Sequence, residues 1–253
     1  MNFDGVSAIV TGGASGLGAA TALRLAELGS KVTIFDLNPD LGHEVARSIG
    51  GHYCNVDVTD EAGVSNGLDD AITAHGSARI LVNCAGIGKS IRTVNRSGEF
   101  FPLGEFRRVI EVNLVGTFNV VSKFAARLQK IDLLGQERGV IVNTSSIAAF
   151  EGQVGQAAYA ASKGGIVGMT LPIARDLAQL AIRVVTIAPG LFLTPILKGM
   201  PEPALLELGK QAPYPSRLGD PTEYAMLAEA IIRNPMLNGE TIRLDGALRM
   251  APR

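Results

Sequence analysis

The chain has no tryptophan, only two cysteines and three histidines, and aromatic residues make up 5% of its 253 positions. Cys54 and Cys84 stand alone in strand-like stretches; that excludes a disulfide framework and leaves both as reduced core thiols. His43, His52 and His75 lack ligand spacing, so they read as surface or loop residues and no metal is expected. Net charge is scarce too: the formal balance is −1, which leaves no basic footprint for nucleic acid. No stretch reaches the ~18 apolar residues of a membrane span, and residues 1–10 carry no cationic, then apolar, export signal. The expected setting is soluble, reducing and cytoplasmic, with no membrane partner. No Pro/Ser-rich linker or charge block divides the chain, so residues 1–253 are expected to form one domain whose partners are small molecules or its own copies.

Hydrophobic residues (47%) and 30 glycines are plentiful, a composition suited to a buried core joined by tight turns. Apolar runs at 6–11, 32–35, 52–56, 80–82, 139–142, 183–187 and 241–244 alternate with helical patterns at 19–28, 40–49, 61–75, 105–128, 157–180 and 222–233. Strands alternating with helices predict an α/β fold, a doubly wound parallel sheet of the Rossmann type.

The first run ends in Thr11-Gly12-Gly13-Ala14-Ser15-Gly16-Leu17-Gly18 and opens a helix. Glycines here let the backbone approach a pyrophosphate, and the N–H groups at the helix start hold its charge, so Gly12, Ser15, Gly16, Leu17 and Gly18 are candidate cofactor contacts. The spacing departs from a plain Gly-x-Gly-x-x-Gly, and a tight turn without ligand has the same appearance. Asp36 ends the second strand about twenty residues on, where a carboxylate meets the adenine ribose diol. Its charge repels a 2′-phosphate and no Arg follows it, which favours NAD over NADP; the competing role is a cap on the next helix. Asp57, with Val58 beside it, is placed at the adenine amino group. Asn83, Ala85 and Gly86 form a second small-residue turn on the same edge, and two such turns make a crevice.

The central stretch runs from Asn143 to Gly168. Tyr159 and Lys163 lie four residues apart in an Ala-rich helical segment, so both side chains emerge on one face. A nearby ammonium favours the phenolate and should draw the phenol below its usual ~10, making Tyr159 a general acid/base. A chance Tyr/Lys pair on a surface helix has the same spacing. Ser146, just past the apolar run 139–142, is placed to face Tyr159 across a pocket, where two hydroxyls stabilise charge developing on one substrate oxygen. Asn113 interrupts a helix and either bonds its own backbone or holds a water. Pro172 should kink the helix it occupies. Residues 191–215, rich in Leu, Met and Pro, read as a flap with a short helix over the substrate, or as an apolar surface. Lys89, Arg92 and Arg96 either meet the phosphates of an acyl-CoA or are a solvated basic loop.

Thr11-Gly-x-x-x-Gly-x-Gly18, Asp36, Asn83-x-Ala-Gly86, Asn113, Ser146, Tyr159-x-x-x-Lys163 and Pro189-Gly190 together resemble the short-chain dehydrogenase/reductase family over nearly the whole chain. The resemblance implies that Tyr159 is the acid/base, that Lys163 lowers its pKa and holds the nicotinamide ribose, that Ser146 orients the substrate oxygen, and that Asn113 anchors a relay water. It also places Pro189, Gly190 and Thr194 at the nicotinamide and implies a homotetramer pairing the helices around Asn113 and Tyr159. Three segments, Phe150–Tyr159, Gly164–Asp176 and Pro215–Pro221, are similar to those of family members that interconvert a 3-hydroxyacyl-CoA and its 3-ketoacyl-CoA. The expectation is an NAD-dependent oxidoreductase of that kind. The alternatives are a hydroxysteroid or other secondary-alcohol dehydrogenase and, outside enzymes, an NAD-binding scaffold.

Overall fold

Each of the seven apolar runs becomes a strand. In the computed structural model, which describes residues 1–198 and 200–252, the first half of the chain comprises β1 (Ser7–Thr11), α1 (Gly16–Glu27), β2 (Lys31–Asp36), α2 (Pro39–Ser48), β3 (His52–Asn55), α3 (Glu61–His75) and β4 (Ile80–Asn83). There follow α4 (Leu103–Ile110), a π-helical stretch (Glu111–Val115), α5 (Gly116–Leu128), β5 (Gly139–Thr144), α6 (Ala157–Leu177), β6 (Ile182–Pro189), α7 (Pro195–Lys198), α8 (Glu202–Gly209), α9 (Pro221–Arg233) and β7 (Thr241–Leu244). The seven strands pair in parallel, as the alternating pattern predicts, and their order is β3-β2-β1-β4-β5-β6-β7.

The sheet has a core on each face because successive strand residues point to opposite sides. Val10, Val82 and Val142 face one core with Leu25 of α1 and Ile231 of α9. Their neighbours Ile9, Leu81 and Ile141 face the other, with Leu68 of α3, Phe124 of α5 and Ile173 of α6. β1, β4, β5 and β6 are buried along their whole length, which is why they read as unbroken apolar runs and not as alternation. From β1 the chain winds to β2 and β3 on one side, then crosses to β4 on the other. The βα turns after β1 and β4 therefore diverge and leave a crevice at the strand ends.

Helix starts follow local chemistry. Asn38 accepts the Leu41 N–H at 3.1 Å, Asp60 accepts that of Ala62 at 3.0 Å, and Asp220 with Glu223 forms a capping box ahead of Pro221. The α2 cap is thus Asn38 and not Asp36, which frees Asp36 for the crevice. The helix expected to end at residue 180 ends at Leu177, passes through Pro172, and finishes in a 3-10 turn.

Three expectations are corrected. The helical run Leu103–Leu128 is long and apolar enough to cross a membrane, contrary to the reading from sequence, yet half of its apolar window is buried in the fold, as in a core helix. His52 is not a loop residue: it lies in β3, with its partly exposed side chain paired with Asp70 at 3.1 Å. Asp70 also accepts from the Cys54 thiol at 3.3 Å, so this His/Cys/Asp group is internally hydrogen-bonded. Finally, the 191–215 segment carries two short helices, α7 and α8, where one was expected; position 199 lies outside the described residues.

Candidate active site

The glycine turn is dictated by crowding. A Cβ on Gly12 would lie 2.7 Å from the Ala85 nitrogen, and one on Gly18 only 2.2 Å from the Gly12 carbonyl oxygen; neither position accepts a side chain while β1 and β4 keep their turns together. Ser15 stands at the N-cap of α1 with no side-chain cap bond, so the orphan N–H groups of the first turn face the crevice and suit an anion. Asp36 accepts the Ala14 N–H at 3.0 Å through one oxygen and the Asn38 N–H at 3.0 Å through the other. Its carboxylate thereby steadies the turn while lining the crevice.

That crevice is the mouth of a continuous cleft of about 940 Å3. Gly12, Ser15, Gly16, Leu17, Gly18, Asp36, Asp57, Val58, Ala85 and Gly86 line one half, and Ser146, Tyr159, Lys163, Pro189, Gly190 and Thr194 line the rest. A pyrophosphate at the turn, a ribose at Asp36 and a nicotinamide beside Tyr159 fit this sequence of groups. Asp57 accepts from the Thr59 N–H and hydroxyl at 2.9 and 2.7 Å, which fixes its carboxylate in the cleft wall.

Two expected contacts are placed elsewhere. The Asn83 side chain is buried below the cleft, accepting from Thr11 Oγ1 at 3.3 Å and donating to Asn143 at 2.9 Å. Asn83 therefore ties β1, β4 and β5 together and does not line the cleft. Asn113 also lies behind the wall: its Oδ1 accepts the Ile87 N–H at 2.8 Å, and its Nδ2 donates to the Ile87 carbonyl at 2.9 Å and to Ser162 Oγ at 3.0 Å. The amide does not bond its own backbone; it clamps the loop after β4 to α6. Ser162 passes the link on by donating to the Tyr159 carbonyl at 2.8 Å.

Ser146, Tyr159 and Lys163 are brought together because β5 delivers Ser146 at its end and α6 packs across it. The Ser145 hydroxyl donates to the Lys163 carbonyl at 2.8 Å, and Lys163 Nζ donates to the Thr144 carbonyl at 2.9 Å. Lys163 Nζ stands 5.8 Å from the Tyr159 ring centroid. Burial drives Lys163 down from 10.5 to about 8. The expected depression of Tyr159 is not found: desolvation at the cleft wall raises the phenol, and the Ser146 hydroxyl is the group that lowers it. The ammonium stands over the ring face and donates to the Thr144 carbonyl, not to the phenol oxygen, and burial wins.

Of the basic loop, Lys89 lines the cleft but is paired with Glu105 at 2.8 Å; Arg92 lines a neighbouring groove. Residues that sequence reasoning missed include Gln153, Gln156, Ser90 and Met250, all in the cleft wall. The glutamines lie inside the Phe150–Tyr159 run, whereas nothing local marks Met250, which arrives from the far end of the chain.

A parallel sheet with a glycine turn, a ribose-directed carboxylate and a Ser/Tyr/Lys group defines an oxidoreductase with a nicotinamide cofactor. The short chain dehydrogenase family model matches residues 7–204, and the chain belongs to that family. It is 54% identical over 252 residues to human 3-hydroxyacyl-CoA dehydrogenase type-2, covering 98% of this chain and 97% of that one. The Drosophila melanogaster protein of the same name is 53% identical over 249 residues, with 96% and 97% covered. The crystal structure of 3-hydroxyacyl-CoA dehydrogenase type-2 from Mycobacterium avium superposes with a TM-score of 0.95 at 42% identity, covering 99% and 98% of the two chains.

Proposed function

We propose that this enzyme reversibly oxidises the 3-hydroxyl of a 3-hydroxyacyl-CoA to the 3-ketone with NAD as its cofactor. The observation that carries the reading is the placement of Ser146, Tyr159 and Lys163 on the wall of one cleft that Asp36 also lines. NAD supplies the hydride acceptor when bound. Asp36 receives the ribose diol and repels a 2′-phosphate, and the free N–H groups at the start of α1 hold the pyrophosphate. Tyr159 takes the proton from the substrate hydroxyl as the carbonyl forms, and Ser146 donates a hydrogen bond to the same oxygen. Lys163 places an ammonium over the Tyr159 ring at 5.8 Å and is the group that would hold the nicotinamide ribose, while the Ser146 hydroxyl offsets part of the burial of the phenol. The family relatives support the thioester as substrate.

A hydroxysteroid is the second reading, favoured by the apolar flap side of the cleft, where Leu191, Phe192 and Leu197 stand. We also propose a homotetramer, supported by Val115, Phe118 and Leu171, which are 42%, 50% and 43% exposed on the helices around Asn113 and Tyr159, and a cytoplasmic location, in keeping with the two free cysteines. Light scattering and cell fractionation test these.

Tyr159→Phe tests the chemistry. Loss of the proton acceptor is expected to lower kcat about 10²–10⁴-fold while NAD binding, followed by cofactor fluorescence, stays close to wild type. Retained turnover would remove Tyr159 from the mechanism.

A further inference from the structure

The substrate end of the cleft is built by three segments distant in sequence, and one side chain holds two of them in register. Arg243, on β7, makes a bidentate pair with Glu151 at 2.7 and 2.8 Å. Its Nε reaches Asp245 at 2.7 Å, and its Nη2 also donates to the Leu248 carbonyl at 3.0 Å. The Phe150 ring covers the guanidinium at 5.1 Å. Arg249 closes the network on Asp245 at 3.1 Å. Arg243, Glu151 and Asp245 are only 21%, 26% and 7% exposed, so this is a sheltered and geometrically fixed pair, unlike most surface salt bridges.

From this node the C-terminal tail is strapped along the segment that follows Ser146. Gln153 Nε2 donates to the Ala251 carbonyl at 2.9 Å, and the Val154 N–H to the Pro252 carbonyl at 3.1 Å. The third segment joins through the Ile91 N–H, which donates to the Gly155 carbonyl at 2.9 Å. Met250 and Gln153 lie between these ties and line the same cleft as Ser146 and Tyr159, whereas neither Arg243 nor Glu151 lines it.

We propose that Arg243 is a positioning residue that straps the C-terminal tail across the substrate end of the cleft, and that Met250, held there by the strap, is a specificity-determining residue that limits acyl-chain length. The preference for an acyl thioester rests on the function proposed above; the strap does not. Met250 offers an unbranched apolar side chain in the wall that ends at Tyr159, and its position depends on contacts that Arg243 makes to the chain on both sides of the wall. The cofactor half of the cleft shares none of these ties.

Two measurements test this. Hydrogen exchange read by mass spectrometry on Arg243→Met should show lost protection in the peptides covering 150–156 and 246–252, with β1 and β4 unchanged; Arg243→Lys, which keeps one charge and cannot form the bidentate pair, should show a smaller loss. Unchanged exchange in both variants would overturn the strap, and general loss of protection would show that Arg243 holds the whole fold. Steady-state kinetics on Met250→Ala with C4 and C8 3-hydroxyacyl-CoAs should raise the C8:C4 ratio of kcat/KM about tenfold, the scale of one or two apolar groups in a pocket, with the KM for NAD unaltered. An unchanged ratio would remove Met250 as a length determinant. If wild-type enzyme oxidises neither thioester, the substrate reading fails, and the exchange result still decides the strap.

Discussion

Lys163 is a buried cation, and its replacement by Met separates what the fold needs from what the chemistry needs. The side chain is 5% exposed, and burial lowers its pKa from 10.5 to about 8. Near pH 7 burying this charge then destabilises the native state by roughly 3 kcal/mol relative to the same charge in the unfolded chain. Lys163→Met removes that cost at similar length and leaves the Thr144 carbonyl, which Nζ contacts at 2.9 Å, without that donor, a loss of about 1–3 kcal/mol. The two effects nearly cancel, with the balance on the side of stability. For a chain of this size we expect Tm to stay level or rise by up to about 6 °C, while turnover is lost. The pH dependence sharpens the test. Native Lys163 releases its proton near 8, whereas the unfolded chain holds it to about 10.5, so the unfolded state binds more protons between these values. Wild-type stability from this group therefore rises through that window, and the advantage of the variant shrinks there. Thermal melts of both proteins at pH 7 and pH 9.5 read this directly. A variant that melts well below wild type at pH 7, with a gap insensitive to pH, would refute the buried-charge reasoning.

Other outcomes follow from single contacts. Asp36→Asn keeps an acceptor for the Ala14 N–H but removes the charge; the KM for NAD should rise about tenfold and NADP should begin to serve, which parallel assays with both cofactors check. Gly18→Ala places a methyl 2.2 Å from the Gly12 carbonyl oxygen; cofactor binding measured by calorimetry should be lost even if the chain still folds. Arg183 is buried, paired with Glu137 at 2.7 Å and donating to the carbonyls of Ile231, Ile232 and Leu237. Arg183→Met should cost about 3–5 kcal/mol, because it removes the closer of the two cations on Glu137, leaving the Met1 amino group at 3.4 Å, and strips three carbonyls of this donor; urea unfolding would register it.

The strands and their parallel, doubly wound arrangement were legible because a parallel sheet covered on both faces writes long apolar runs separated by helical patterns; the strand order came from the structure. The glycine turn, Asp36, Ser146, Tyr159 and Lys163 were legible for a different reason: each needs a specific residue type at the end of a particular strand or on one helix face, and they share one cleft. Sequence reasoning failed where direction mattered. Asn83 and Asn113 are of the right type and near the right place, yet their amides point into the protein, and only the packing of α6 against β5 decides that. Tyr159 shows the same limit. Its spacing from Lys163 suggested a lowered pKa, but the ammonium turns to Thr144 and burial raises the phenol. Met250 was invisible because the strap joining residues 151–154 to residues 251 and 252 is a long-range contact with no periodic signature.

The most direct test of the central claim is NADH appearance, followed by absorbance with NAD supplied, for 3-hydroxybutyryl-CoA, its 2-methyl derivative and a 17β-hydroxysteroid at matched concentrations. The proposed function predicts a kcat/KM for the thioesters well above that for the steroid, with kcat lowered about 10²–10⁴-fold in Tyr159→Phe. A kcat/KM that favours the steroid, or turnover of neither thioester, would contradict it.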